Sequence, residues 1–562
     1  MHRMSFATTV DELIHDIFRL WPTNATELGN HDHDDRWPDL TDAGHAERSA
    51  FLREAETRLS VIDVSSLSRD ESIDLRIIRE ELAAMRFAEE TLQEYRWSPL
   101  SYVYLFGGGL FSLLAREFAP LPDRLRSVTG RLRGLPAALD DARAILSAPG
   151  ERGTSTFHAE KALSQLSGIA QLADSAVAES QKLDDATLRA ELSAAADVAK
   201  EALATWETWL RDELLPTARG DFRLGEELYG AKFGHTLKSS LTPVELADRA
   251  RRDFETVRDE MLRLARELWP AWKGDEPMPD DRDVLVRQVL DAIAGEHPAA
   301  DELLEFCRKE HERIEAFVRE RDLIGLGDEP LEIIWTPEFM RAFGGAMLMP
   351  PGPLDKGLSS FFAITPMPDD WTDEQKESYL REDNTRMLRL LTIHEATPGH
   401  YLQLAYSNRV PSLVRSIFQS GVFAEGWAVY ITQVMMDVGY GAEDPALMLV
   451  HWKFYLRAIT NTMMDIAIHT GTMSRDEAMD LMVRQGFQEE SEAANKWDRA
   501  RLSSTQLCEY FLGSVEMHNL EREARARAKE AGDEFVYRPW LERILSHGTP
   551  SIPVVRDILY GS

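Results

Sequence analysis

His394-Glu395-Ala396-Thr397-Pro398-Gly399-His400-Tyr401-Leu402-Gln403 interrupts a run of helical, largely apolar sequence. Upstream, Met387, Leu388, Leu390 and Leu391 recur three and four residues apart. Thr372-Asp373-Glu374-Gln375 has the capping-box pattern, so one helix is expected from Thr372 into His394. The stretch resembles the zinc-peptidase pattern His-Glu-x-x-His, but its second histidine is six residues on, not four. On a regular helix, residues six apart point roughly 120° apart and sit about 9 Å apart along the axis. They meet on one ion, about 2 Å from each, only if the helix yields between them. Pro398 removes a backbone donor and crowds the carbonyl of His394, while Gly399 opens unusual dihedrals. A kinked or π-bulged turn is therefore expected to swing His400 back beside His394.

A third ligand candidate lies twenty-five residues beyond His400. Glu425, in Ala424-Glu425-Gly426-Trp427-Ala428-Val429-Tyr430, is the charged residue ahead of an apolar helical run. Buried carboxylates are rare unless paired or bound to metal, although a capping role at a helix start competes. Two histidines and one carboxylate would leave a position open for water, the arrangement of a catalytic zinc site. Glu395, next to a ligand but pointing elsewhere, is then the expected general base.

Elsewhere the chain has helical periodicity, from about Thr9 to Leu20, Ala43 to Leu59, Ser72 to Glu94, Leu121 to Leu146 and Thr156 to Leu215. Thr242-Pro243-Val244-Glu245 and Ser474-Arg475-Asp476-Glu477 are further helix starts. Leu331–Trp335 and Phe361–Thr365 are strand-like, and Gly344–Pro353 between them has the composition of a loop. Ala148–Gly153 and Gly274–Pro279 are expected hinges. The expected fold is mainly α, a large helical protein with a small central sheet lining a deep cleft. An N-terminal helical part, 1–219, would cover a catalytic part, 220–562, within one continuous unit.

The 562 residues carry 63 Lys+Arg against 96 Asp+Glu, a net charge of −33. Such a surface repels phosphate backbones and anionic membranes, which argues against nucleic-acid and membrane partners. Cys307 and Cys508 are too few for a disulfide framework or a cysteine zinc site, and both are expected to be buried thiols. Met1–Phe6 leads into polar sequence without a long apolar core, which predicts neither a secretory signal nor a lipoprotein leader. The expected compartment is the cytoplasm. His31-Asp32-His33-Asp34-Asp35 lies among turn formers and is expected to be a solvated loop, not a second metal site.

The His-Glu-x-x-Pro-Gly-His-x-x-Gln motif followed by Glu-Gly-Trp-Ala-x-Tyr resembles the bacterial family of unknown function DUF885. Ala25–Asp32, Leu241–Glu245, Asp465–Gly471 and Gln506–Gly513 extend the resemblance over most of the chain. Members usually carry Pro-Gly before the glutamine, where this chain has Ser504-Thr505. That family is similar in helical layout and motif logic to zinc carboxypeptidases of the Taq type. The resemblance implies a zincin-like fold and a metal-dependent peptidase holding one zinc, or another divalent ion, on His394, His400 and Glu425.

Amide hydrolysis also needs an oxyanion donor, for which Tyr510 and His469 are candidates. A core histidine bonded to Asp465 is the competing role for His469. Arg457 would clamp a substrate carboxylate, with Gln506 also contacting substrate, and make the enzyme an exopeptidase acting on peptides or small amides. An ion pair with Asp465 or another acid explains Arg457 equally well. Phe361–Thr365 would be the edge strand that pairs with extended substrate. A hydrolase of a non-peptide amide or ester, and a non-catalytic metal-binding module, are the alternative functions.

Overall fold

The computed structural model describes residues 5–148, 150–336, 346–368 and 371–561. The first four residues of the chain, Pro149 of the first hinge and Gly344–Gly345 of the expected loop lie outside them. The fold is mainly α, with one three-stranded sheet. Two compact units emerge from the contacts. One comprises Met1–Phe222 with Pro351–Leu358 and Ser412–Phe418, and the other the rest of the chain.

The first unit is built on long helices: α1 (Pro99–Leu114), α2 (Leu121–Ser147), α3 (Thr156–Ser180) and α4 (Ala186–Trp209). In α2, Leu125, Val128, Leu132, Leu135, Leu139 and Leu146 fall three, four or seven apart and are buried. This stripe makes the helix amphipathic. His31 sits in this unit between Asp34, at 2.9 Å, and Asp355, at 3.1 Å, and stacks on Phe118 with ring centroids 3.7 Å apart. The His31–Asp35 segment is therefore not simply solvated: two carboxylates and an aromatic face hold its histidine.

The second unit begins its core with α5 (Pro243–Lys273), whose start is the expected Thr242/Glu245 capping box with Pro243 in the first turn. Next come α6 (Leu303–Glu320) and the strands β1 (Leu331–Trp335), β2 (Ala346–Met349) and β3 (Ser360–Ile364). The strand order is β1-β3-β2, with β1 parallel and β2 antiparallel to β3. Two expectations change here. The Gly/Pro-rich stretch 344–353 contains a strand, because Ala346-Met347-Leu348-Met349 finds a partner in β3 that its composition does not reveal. The Phe361–Thr365 stretch supplies the central strand, flanked on both sides, so it has no free edge for substrate.

The sheet is fastened to the helices that follow, α7 (Asp373–Glu382) and α8 (Thr385–Glu395). Ile333, Phe362 and Ile364 share a core with Leu303, Leu304 and Cys307 of α6, Leu380 of α7, Leu388 of α8 and Ala396. The single helix expected from Thr372 to His394 is thus two. Asn384 breaks it and caps the second, its side chain accepting from the backbone N–H groups of Arg386 and Met387.

The remaining helices used below are α9 (His400–Ser407), α10 (Gly421–Asp437), α11 (Pro445–His469), α12 (Glu490–Leu502) and α13 (Glu509–Ala531). Helices α10 and α13 run parallel in close contact. A Cβ on Gly426 would lie 2.4 Å from Gly513 Cα, and farther along Tyr430 donates to Glu521 at 2.6 Å. Both cysteines are free and buried. Among the described residues, no helix is long and apolar enough to cross a membrane.

Candidate metal centre

Helix α8 ends at Glu395 and α9 begins at His400, so the two histidines stand on either side of a full helix break, not a kinked or π-bulged turn. The break is tight. A Cβ at Gly399 would lie 2.0 Å from the carbonyl oxygen of His394, so only glycine fits. The Thr397-Pro398 peptide is cis, and Pro398 O accepts a hydrogen bond from Trp427 Nε1 at 2.9 Å. His311 Nε2 lies 3.0 Å from Thr397 Oγ1. These contacts tie the break to α10 and α6, and across it His394 and His400 come together despite their six-residue spacing.

The two imidazoles stand nearly perpendicular, ring centroids 4.8 Å apart. Glu425 projects from α10 to meet them, Oε2 being 3.3 Å from His400 Nε2 and 3.8 Å from His394 Nε2. One ligand atom from each residue lies within 4.8 Å of the others, and among the described residues no other such trio exists. Ligand atoms on a tetrahedral zinc, each about 2.0–2.1 Å away, stand about 3.3 Å from one another. The Glu425–His400 separation already matches and the others need small side-chain movements, so the donor set and its geometry fit zinc.

Electrostatics prepare the same groups. Burial, with His400 nearby, pushes His394 down to about 3, leaving the neutral imidazole that metal binding requires. Burial disfavours charge on His400, but the Glu425 carboxylate more than offsets it and raises the pKa. Reciprocally, burial opposes ionisation of Glu425 and His400 overcomes that, lowering its pKa. Glu395 is outside the trio. Burial and the Glu425 charge raise its carboxyl to about 7, against the pull of His400 and of the Leu348 N–H, which donates to Oε2 at 3.0 Å. The outer edge of β2 therefore faces Glu395.

The other expected residues divide. Tyr510 lies one turn before Gly513, where α13 touches α10 beside Glu425, and burial, reinforced by the Glu425 charge, keeps its phenol protonated. Its oxygen accepts from Arg499 Nη2 at 3.2 Å and from Gln506 Nε2 at 3.4 Å, and Arg499 also donates to Gln506 Oε1 at 2.8 Å. His469 is placed differently. Its Nε2 lies 2.8 and 2.7 Å from the carbonyl oxygens of Ala500 and Ser503, and its ring stacks on Tyr229. Asp465 Oδ1 accepts from Tyr229 Oη at 2.6 Å and from Thr505 N at 2.9 Å. These groups hold the turn that leads into Gln506 and Tyr510, and the Nε2 contacts of His469 are to backbone carbonyls beside that turn. Thr505 has φ +71°, a left-handed conformation that costs a side-chain-bearing residue about 1–2 kcal/mol.

Arg457 is already engaged, 3.7 Å from Glu382 and 3.8 Å from Glu492, with its guanidinium over Phe454. It is held by acids, though not by Asp465. Sequence reasoning passed over Arg499 and Lys496, which sit in an ordinary charged helix with no local motif. Only their three-residue spacing, which puts both on one face of α12, was available as a signal.

Comparison with known proteins finds no matching curated protein. A structure from Shewanella oneidensis, described as a "putative lipoprotein of unknown function", has a TM-score of 0.85 and 33% identity, covering 99% of this chain and 100% of its own. A second, from Colwellia psychrerythraea and described as a "putative lipoprotein", has a TM-score of 0.80 at 15% identity and covers 98% and 97%, a likeness of fold alone. The family model "Bacterial protein of unknown function (DUF885)" matches residues 22–559. Matched over nearly its whole length, this chain belongs to the DUF885 family.

Proposed function

We propose that this protein is a zinc-dependent peptidase that removes residues from a chain end. The observation that carries the reading is the convergence of His394, His400 and Glu425 near a half-buried carboxyl, Glu395, that is not one of the trio. The trio would hold the ion, which when bound supplies Lewis acidity and lowers the pKa of a coordinated water.

The remaining work falls to side chains. Glu395, its carboxyl raised toward neutrality, accepts a proton from the attacking water and returns it to the leaving amine. Tyr510 receives hydrogen bonds from Arg499 and Gln506, so its own hydroxyl proton remains available for the developing oxyanion. The outer edge of β2, which offers Leu348 N to Glu395, suits an extended peptide backbone. Arg499, exposed and bonded to the neutral Gln506 and Tyr510, replaces Arg457 as the receiver of a terminal carboxylate and favours exopeptidase action.

Metal analysis with peptide-library digestion, with and without chelator, tests the reading. Purified protein should carry about one equivalent of zinc and release terminal residues. The Glu395→Gln variant should keep the metal and lose roughly 10²–10⁴-fold in turnover. Zinc retained after combined His394→Ala and His400→Ala substitution, or full activity in Glu395→Gln, would overturn it.

A further inference from the structure

Three cations gather beside the candidate metal centre, and among the described residues one of them has no carboxylate in contact. Arg457 of α11 and Lys496 of α12 share the Glu492 carboxylate, at 3.8 and 3.5 Å. Glu382, 3.7 Å from Arg457, is also bound by Lys453 at 2.9 Å, and the buried Asp383 is a further acid near Arg457. Arg499 has no carboxylate within 4.0 Å among the described residues. Lys496 and Arg499 are three apart on one helix face, a like-charge pairing that costs stability unless an anion answers it. Burial, together with Arg457 and Arg499, lowers Lys496 to about 8.

These charges border the trio from two sides. Phe454 lies between Arg457, whose guanidinium is 5.5 Å from the ring centroid, and His394, whose ring meets it edge-on at 5.5 Å. Arg499 bonds Tyr510, which adjoins the Gly426–Gly513 contact next to Glu425. Lys496 has only the shared Glu492 within ion-pair distance among the described residues and Arg499 has no carboxylate there, an arrangement that suits a ligand bringing more than one negative charge.

We propose that Arg499 and Lys496, backed by Arg457, form a subsite for the C-terminal residue of peptides ending in Asp or Glu. Arg499 with Gln506 takes the α-carboxylate, and Lys496 takes the side-chain carboxylate. The spacing suits this. Three residues of helix rise about 4.5 Å, and the two carboxyl carbons of an extended glutamate lie about 5 Å apart. This inference names the substrate class of the peptidase proposed above and rests on that reading for the orientation of the ligand, while the subsite itself is testable by binding.

Isothermal titration of the zinc-loaded Glu395→Gln protein with the dipeptides Ala-Glu and Ala-Gln separates the two claims, alongside turnover of both by the parent enzyme. Ala-Glu should bind at least tenfold more tightly than Ala-Gln. Adding Lys496→Met should bring that ratio close to one. Arg499→Gln, at an exposed position, should weaken both dipeptides together and keep the ratio, so the subsite remains testable if Lys496→Met does not fold. Equal binding of the two dipeptides, or no binding of either, overturns the subsite, even where peptides are hydrolysed. Discrimination in binding without turnover of any peptide supports the subsite and rejects the peptidase.

Discussion

Gly426→Ala is the substitution that most directly probes how the fold holds the candidate metal centre. Its new Cβ would lie 2.4 Å from both Gly513 Cα and Gly513 C, and 2.8 Å from the Gly513 carbonyl oxygen. Carbon atoms in good contact stand about 3.5–4.0 Å apart, so α10 and α13 must separate locally by about 1.1–1.6 Å. No flexible side chain can give way, because the facing atoms are backbone.

Overpacking of this kind costs about 1–3 kcal/mol, and in a unit of this size Tm should fall by roughly 1–4 °C even without metal. Glu425 is the preceding residue, and ligand distances tolerate only about ±0.2 Å, so zinc affinity should fall at least tenfold. Thermal unfolding in chelator and zinc competition against a chromophoric chelator read the two effects separately. Gly230→Ala is the control. It is a helical glycine with nothing within 4 Å of its would-be Cβ, and alanine there should stabilise by about 0.5–1 kcal/mol. A Gly426→Ala protein with parental Tm and zinc affinity would refute the argument that this glycine contact sets the position of Glu425.

Two further outcomes test separate parts of the molecule. Burial opposes charging His31, but Asp34 and Asp355 outweigh it and raise the pKa from 6.5 to about 9. A raised histidine stabilises fully below its unfolded pKa and loses that contribution as pH climbs through the folded one. Parental protein should therefore exceed His31→Gln in stability by about 1–2 kcal/mol at pH 6, after allowance for solvent screening, and the gap should close by about pH 10. Thermal melts across pH would refute this with a gap that does not change. Tyr510→Phe removes the proposed oxyanion donor, so kcat should fall about 10²–10³-fold on a peptide substrate with zinc content unchanged, and parental kcat would reject that role.

Much of the helical layout is legible residue by residue, because capping boxes and three/four spacing act locally. Thr242/Glu245 and the stripe of α2 are examples. Local signals failed where a partner distant in sequence decides the state. Ala346–Met349 is a strand only because β3 lies beside it, and β3 is central only because β2 covers its other edge. Asn384 carried a cap signal, but it was masked by the apolar pattern running on through Met387 and Leu388.

The candidate site divides in the same way. Sequence alone singled out His394, Glu395, His400 and Glu425, since an unpaired acid and two histidines at a Pro-Gly break are costly to keep in an apolar helical context. It also singled out Tyr510 and Gln506, through the family pattern. It did not determine where the charges end up. Arg457 is engaged by Glu382 and Glu492, His469 by backbone carbonyls, and Arg499 by the neutral Gln506 and Tyr510, all through contacts between separate elements. The composition and spacing of the chain determine which groups are able to bind a metal or an anion. Which of them remain available depends on the neighbours that tertiary packing brings within a few ångströms, where charge pairing and desolvation act.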